Sequence, residues 1–527
     1  MPTADQEKGI AKAVLDHRDP ALRYFDLTRG GGMESAPMAQ ARRAFLEHRF
    51  EDCFTFARQA LAEQPWRYEA LVVEATAWRI KAINMGHAGA SVREIRSVLV
   101  NHAMPALERA QELAKSDLDI HRARIQILSL LAIQDSEGGR TTLEPFEKAE
   151  AIVAEASRIQ PADAELWSLG CYNAVRGVFV RIAQGEDTRE RSRRLLAQQE
   201  DAAARLRSEA PSIIQGPRTL LLWQLAEGQW RRGEDPRPAL QEALTRDVAM
   251  KEEHDEILNL LARYRAQHGL DPEPQIRQAL AIIDHEDRMT PGWYYYDTLR
   301  GESRLIEATW AWWTGRDPRE AIQGGLALLR GAVAKKPDSA YPYFHLPQVL
   351  ALEARLRMAH GQDASDCIAE ALRHGRRAVA IRPDHYRSHL GLAEAQLVDG
   401  LDRARRHEDP RPSLAAAART LADARHCNPT DWRIALTEAR VALAEAEGGG
   451  DPGPALARAA KAAARGLAVK GDAPELLWAG AEAARLRWTL LGDQTAKDQA
   501  REHAGRALAL CPELAPARDI LAAVTRF

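Results

Sequence analysis

GLDP at 269–272, GRDP at 315–318, GQDA at 361–364 and HEDP at 407–410 place aspartates at Asp271, Asp317, Asp363 and Asp409, so one mark recurs every 46 residues. A proline follows each aspartate twenty residues later, at Pro291, Pro337, Pro383 and Pro429. Two offsets that hold together over four consecutive units make an internal repeat, and a repeat is read before any domain count from length. Looser copies extend the array, with GEDT at Asp187, GEDP at Asp235, GGDP at Asp451 and GDQT at Asp493. Their spacing drifts, as it does where a unit gains or loses part of a turn at an exposed junction.

The mark has a physical meaning. Glycine ends one helix in the left-handed conformation, aspartate accepts hydrogen bonds from the free N–H groups of the next, and proline occupies that helix's first turn. Between marks the chain is long and amphipathic: AYPYFHLPQVLALEARLRMAHG (340–361) is followed by SDCIAEALRHGRRAVAIRP (365–383), each with apolar residues near i, i+3, i+4 and i+7. Each unit therefore reads as helix, turn, helix. Neither helix buries its stripe alone, so neighbouring pairs must stack into one continuous core.

Small residues sit at fixed places in these units. Counting back five from the closing proline gives Ala60, Ala156, Ala332, Ala378, Ala424 and Ala507, and counting back twelve gives Cys53, Ala149, Gly325, Ala371, Ala417 and Ala500. Ten residues after the proline come Ala75, Cys171, Ala393, Ala439 and Ala522. Small side chains let helix axes approach towards the ~8 Å end of the usual range. Cys53 and Cys171 are read as packing substitutes for alanine.

This pattern resembles the tetratricopeptide repeat. The first unit, ARRAFLEHRFEDCFTFARQALAEQP, carries Phe50, Cys53, Ala60 and Pro65 on the family positions, and Trp167 stands six residues after Pro161. The departure is length, since the family unit is ~34 residues and most units here are near 46. Long units with a GxDP junction look like the tetratricopeptide regions appended to bacterial eukaryotic-like Ser/Thr protein kinases. The resemblance implies an all-α, right-handed superhelical solenoid of about eleven helix-turn-helix repeats. The array is expected over residues 37–512, after an N-terminal helical segment and Gly-rich linker at 1–36 and before a capping helix at 513–527. One continuous array is the first expectation, and a subdomain break near 250–291, where the period changes, is the alternative.

Composition narrows the function. The 527 residues hold 72 Lys+Arg against 75 Asp+Glu, a net charge of −3, which argues against a protein that binds nucleic acid by neutralising phosphates. Five widely spaced cysteines with no C-x-x-C pair make neither a disulfide framework nor a zinc ribbon. No stretch approaches 18 uninterrupted apolar residues, so neither a membrane span nor a membrane partner is expected and the chain is read as cytoplasmic.

Catalytic signatures are not assembled. There is no GxSxG, HExxH, Walker lysine or dinucleotide-binding glycine motif. The string HRD at His17, Arg18 and Asp19 lacks the rest of a kinase, with Tyr24 where the metal-binding Asn would stand. His345, His374, His385 and His389 cluster in sequence with no carboxylate or thiolate spaced to complete tetrahedral ligation, so no metal and no cofactor is expected. The aromatic runs WYYYD (293–297) and ATWAWW (308–313) are read as core filling with some rings lining a groove.

Tetratricopeptide proteins line their concave face with the first helix of each pair. Positions four, seven and eleven after the proline select Tyr295, Tyr341, Phe344, Gln348, Arg387, Glu394, Arg433 and Arg440 as partner-binding candidates. Arg387, Arg433 and Arg440 suit a carboxylate or phosphate through charge-assisted hydrogen bonds, with aromatics supplying apolar area. The expected function is a non-enzymatic scaffold or regulatory adaptor that binds a protein or peptide. The resemblance implies a signalling partner such as a kinase domain, a regulator or a sequestered stress-response factor. The alternatives are a sensor that changes superhelical pitch on binding a ligand or peptide, and the detached regulatory arm of a Ser/Thr kinase.

Overall fold

The computed structural model describes residues 35–138, 142–161, 163–205, 211–245, 252–289, 291–448 and 451–526; the expected N-terminal helix, linker and HRD string at 1–34 lie outside them. The described residues form 23 helices and no strand. They run in antiparallel pairs, as in Tyr341–Ala359 with Ser365–Ile381 and Tyr386–Arg405 with Arg411–Cys427. Between Val92 and Leu113 one helix is continuous through a π-turn at Leu99–Ala103. None of the described helices is long and apolar enough to cross a membrane.

The chain divides into two compact units. One comprises Met1–Ser136, Thr142–Gly177 and Leu195–Pro217, and the other Glu137–Thr141, Val178–Arg194 and Arg218–Phe527.

The junction mark folds as its residues require. Gly269, Gly315 and Gly361 have φ of 68°, 73° and 70°, and His407, which stands in the same place in HEDP, takes φ 59° despite its side chain. The aspartates accept from the backbone N–H two residues on: Glu273 to Asp271 at 3.1 Å, Arg319 to Asp317 at 3.1 Å, Ser365 to Asp363 at 3.0 Å and Arg411 to Asp409 at 3.1 Å. Asp187, Asp235, Asp451 and Asp493 do the same. Gly449 and Gly450 lie outside the described residues.

The small-residue register is the core. All six alanines five before the closing proline are 0% exposed, and those twelve before are buried throughout. Burial pushes the Cys53 and Cys171 thiols up, to about 11 and about 12, so both behave as packing groups rather than nucleophiles. Ala522 differs: it lies exposed on the Ala515–Thr525 helix.

Within the second unit the first helices of successive pairs lie side by side, and the chain closes on itself. The Asn428 amide donates to the carbonyls of Ile182 (3.5 Å) and Ala183 (3.3 Å). The Gly233 turn packs on Lys470 and Gly471, and the Gly269 turn on Cys511 and Pro512. His268 meets Asp472 at 3.1 Å, and Gln267 donates to Glu475 at 3.1 Å. Junction turns of early units thus dock on the closing turns of units more than 200 residues further along.

Candidate ligand cavity

The concave face of the second unit holds an open-mouthed cavity of about 630 Å³. One wall is built from three consecutive first helices, Tyr341–Ala359, Tyr386–Arg405 and Trp432–Glu447. Tyr294–Thr314, Glu252–Gln267 and Pro474–Leu491 supply further sides, with Trp230 from the Pro211–Arg231 helix.

Of the residues selected by their offset from the proline, Phe344, Gln348, Arg387, Glu394, Arg433 and Arg440 line this cavity. Tyr295 and Tyr341 do not. They form a row of edge-on rings leading towards it, with Tyr295 5.7 Å from Tyr341 and Tyr341 6.0 Å from Phe344. The Tyr295 hydroxyl donates to the Glu256 carboxylate, which fixes that ring as structure. From the aromatic run at 308–313, Trp312 and Trp313 reach the cavity while Trp310 is 5% exposed and packs with Leu477 and Leu514.

The arginines stand in a buried ionic network. Arg433 pairs with Asp431 at 2.6 Å and donates to the Tyr386 hydroxyl at 2.7 Å. Arg231 pairs with Glu227 at 2.7 Å and lies 4.0 Å from Asp431, while Arg387 lies 3.8 Å from Glu227. Arg263 pairs with Glu302. Burial alone would raise the Glu227 carboxyl, yet Arg231, Arg387 and Arg433 outweigh it and bring it to about 2. Burial opposes ionisation of Asp431 as well, and Arg433 and Arg231 hold it well below the carboxylate range. Rings frame the network: the Arg433 guanidinium lies 5.2 Å from the centre of Trp230 and 5.7 Å from that of Tyr386.

Mid-cavity, Glu394 faces Arg355: burial pushes the carboxyl up against that arginine's pull. The Arg355 Nε and Trp432 Nε1 donors are buried, with no hydrogen-bond acceptor among the described residues.

The histidines serve separate purposes. His345 lines the cavity, and burial with Arg387 close by holds its pKa well below the ordinary value. His385 stacks on Phe344 at 4.6 Å and accepts from the Arg387 N–H, so its Nδ1 is unprotonated, and burial likewise depresses its pKa. His389 meets the Pro383 carbonyl at 2.7 Å, and His374 sits beside Glu370 at 3.5 Å. Among the described residues no group of three or more His, Cys, Asp or Glu is placed to hold a metal ion.

Sequence reasoning missed Trp230, Glu227 and Arg263. The offset rule needs a closing proline, and the stretch RPALQEALTRDVAMKE before the Arg263 helix has none after Pro238. The partnership of Glu227 with Arg387 and Arg433 joins residues far apart in sequence, and no local pattern announces it.

No protein-family profile matches this chain, and no curated protein does. Among solved structures, the thermophilic TPR protein TTC0263 of Thermus thermophilus is similar at 22% identity, covering 43% of this chain and 100% of its own, with a TM-score of 0.31. The human IFIT1 dimer with PPP-AAAA is similar at 14% identity over 97% of this chain and 95% of that one, with a TM-score of 0.40. Yeast Tom70 is similar at 13% identity over 94% and 95% of the two chains, with a TM-score of 0.33. The assignment rests on the chain's own geometry: helix pairs punctuated by Gly-x-Asp, packed on small residues in a constant register, give it a TPR-like helical-repeat fold.

Proposed function

We propose that this chain is a non-enzymatic helical-repeat scaffold that recognises a protein or peptide partner through the face shared by its first helices. The observation that supports this best is the cavity wall, where half-buried arginines stand among aromatic and leucine side chains on consecutive repeats. The sequence resemblance suggests a signalling partner, either a kinase domain, a regulator or a sequestered stress-response factor, and in its narrowest form a detached regulatory arm of a Ser/Thr kinase. A photo-crosslinking side chain tests this when placed at Gln348 in the cavity or at Arg373, which is exposed on the Ser365–Ile381 helix. Partner crosslinked from position 348 and not from 373 is the expected outcome, and the reverse pattern overturns it.

A second reading, a ligand-sensing regulator, is supported by the enclosure. The clasps at Asn428, Lys470 and Pro512 leave a volume of the size that small-molecule sites occupy, roughly 300–1,000 Å³. Five tryptophans line it, at 230, 312, 313, 432 and 478. Their emission should shift on binding, and an unchanged spectrum across a ligand panel counts against this reading.

A further inference from the structure

We infer that the cavity binds a small amphipathic carboxylate, its head held by Arg387 and Arg433 beside Arg263 and its apolar body running along Leu397, Leu401 and Trp312. The inference rests on the ligand-sensing reading and names the class of ligand.

Charge selects the head. Arg263, Arg387 and Arg433 line one end of the cavity with Arg231 behind them, four positive charges against three negative ones on Glu227, Glu302 and Asp431. Glu475, which also lines the cavity, is pushed by burial towards its uncharged form, so the paired network holds one guanidinium more than it has carboxylates. The histidine between them adds none, because His345 is buried and held neutral by those same arginines. One excess guanidinium in a half-buried site is balanced by a monoanion, which favours a carboxylate over a phosphate monoester dianion. Hydrogen-bond donors are at hand: the Trp432 indole N–H, next to Arg433 in sequence, is buried without an acceptor among the described residues, and the Gln348 amide lines the cavity further along. A planar guanidinium offers a carboxylate two parallel N–H groups.

Shape and polarity select the body. Arg387 and Leu401 lie on one helix and both line the cavity, so fourteen residue steps separate the charged end from the apolar end, about 21 Å at 1.5 Å per residue. Towards Leu401 the lining is mostly apolar, Leu397, Leu352, Leu443 and Ala359 faced by Trp312 and Trp313, with the carboxylates of Glu447 and Glu482 at its far edge. Burying an alkyl or aryl chain there takes apolar surface out of water, which favours binding.

Dodecanoate, held below micelle-forming concentration, is titrated into the full chain with tryptophan emission and calorimetry as readouts. Dodecanol and dodecyltrimethylammonium serve as neutral and cationic matches of the same chain length. Saturable one-to-one binding of dodecanoate, at least tenfold tighter than either match, is expected. Arg387→Gln should weaken it tenfold or more, while Arg373→Ala, exposed on the Ser365–Ile381 helix and outside the cavity, changes it by less than about twofold. Leu436→Trp, which fills the cavity without touching an ion pair, should abolish binding and serves if Arg387→Gln fails to fold. Equal affinity for all three head groups, or a tenfold loss in Arg373→Ala, overturns the assignment of the head. Binding of no amphiphile overturns the inference entirely. Crosslinking of a protein partner from position 348 is measured independently, so failure here is distinguishable from failure of the scaffold reading.

Discussion

Gly185, Gly233, Gly269, Gly315 and Gly361 end their helices in the same left-handed conformation, with φ between 68° and 80°, yet they meet different surroundings. A Cβ on Gly185 would stand 2.7 Å from the Asn428 side chain, on Gly233 3.1 Å from the Lys470 backbone, and on Gly269 2.9 Å from the Pro512 ring. On Gly315 or Gly361 it would meet nothing within 4 Å. The local instruction is one and the same, a helix stop followed by an aspartate cap. At the first three junctions it also serves as a tertiary contact, because the superhelix has come round and laid a later turn on top. At His407 the free kind of junction tolerates a side chain outright.

The largest test of this contrast removes a charge on the docked side. Glu227→Gln leaves Arg231 and Arg387 without their buried anion and should cost about 3–5 kcal/mol in urea unfolding. Glu370→Gln, which weakens contacts with Arg330 at 2.7 Å, His374 at 3.5 Å and Arg373 at 4.0 Å on a partly exposed face, should cost less than about 1 kcal/mol. Equal costs would show that closure adds nothing to that network.

Gly269→Ala and Gly315→Ala come next. Both put an alanine into the left-handed region, for about 1–2 kcal/mol. Gly269→Ala must also displace Pro512, raising its total to about 2–4 kcal/mol. Paired melting curves decide the matter, and a drop at 315 as large as at 269 breaks the comparison.

Acid should loosen the cavity end. His345 and His385 have folded pKa values below the unfolded value of about 6.5, so the unfolded chain takes up more protons as pH falls through that value. Stability is therefore full above about pH 7 and falls below it, by at most about 1.4 kcal/mol per pH unit for each histidine. Melting temperatures from pH 7.5 to 5 should decline in the native chain and decline less in His385→Gln. The Glu227 carboxyl, depressed to about 2, contributes at any pH above its unfolded range near 4.5 and is lost further down.

The smallest effect belongs to His268→Gln. It removes the partly exposed contact with Asp472 across the clasp, worth about 0.5–1 kcal/mol, and leaves the Lys470–Asp472 pair at 2.7 Å in place; the loss should shrink at high salt. A salt-independent loss would mean that hydrogen bonding, rather than charge, holds that turn.

Periodicity made the helix pairs legible, down to the buried alanines and the capping aspartates, since both depend on residues within one unit. It also located six cavity residues, because every first helix presents the same register to the same side. Tyr295 falls on that register but is claimed by Glu256, a neighbour that no offset predicts. Nothing in the spacing told Trp312 and Trp313 from Trp310, which differ only in which helices happen to face them.

By itself, then, the sequence determined the all-helical repeat, its punctuation and its core register. These follow from short-range physics: capping, left-handed glycine and the close approach that small side chains allow. Tertiary structure alone decided that the concave face of the second unit closes into a cavity, and that Glu227, Trp230 and Arg263 join Arg387 and Arg433 there. The curvature of a stack accumulates small rotations over many pairs, so which distant turns finally touch is a property of the whole array and is written in no single unit.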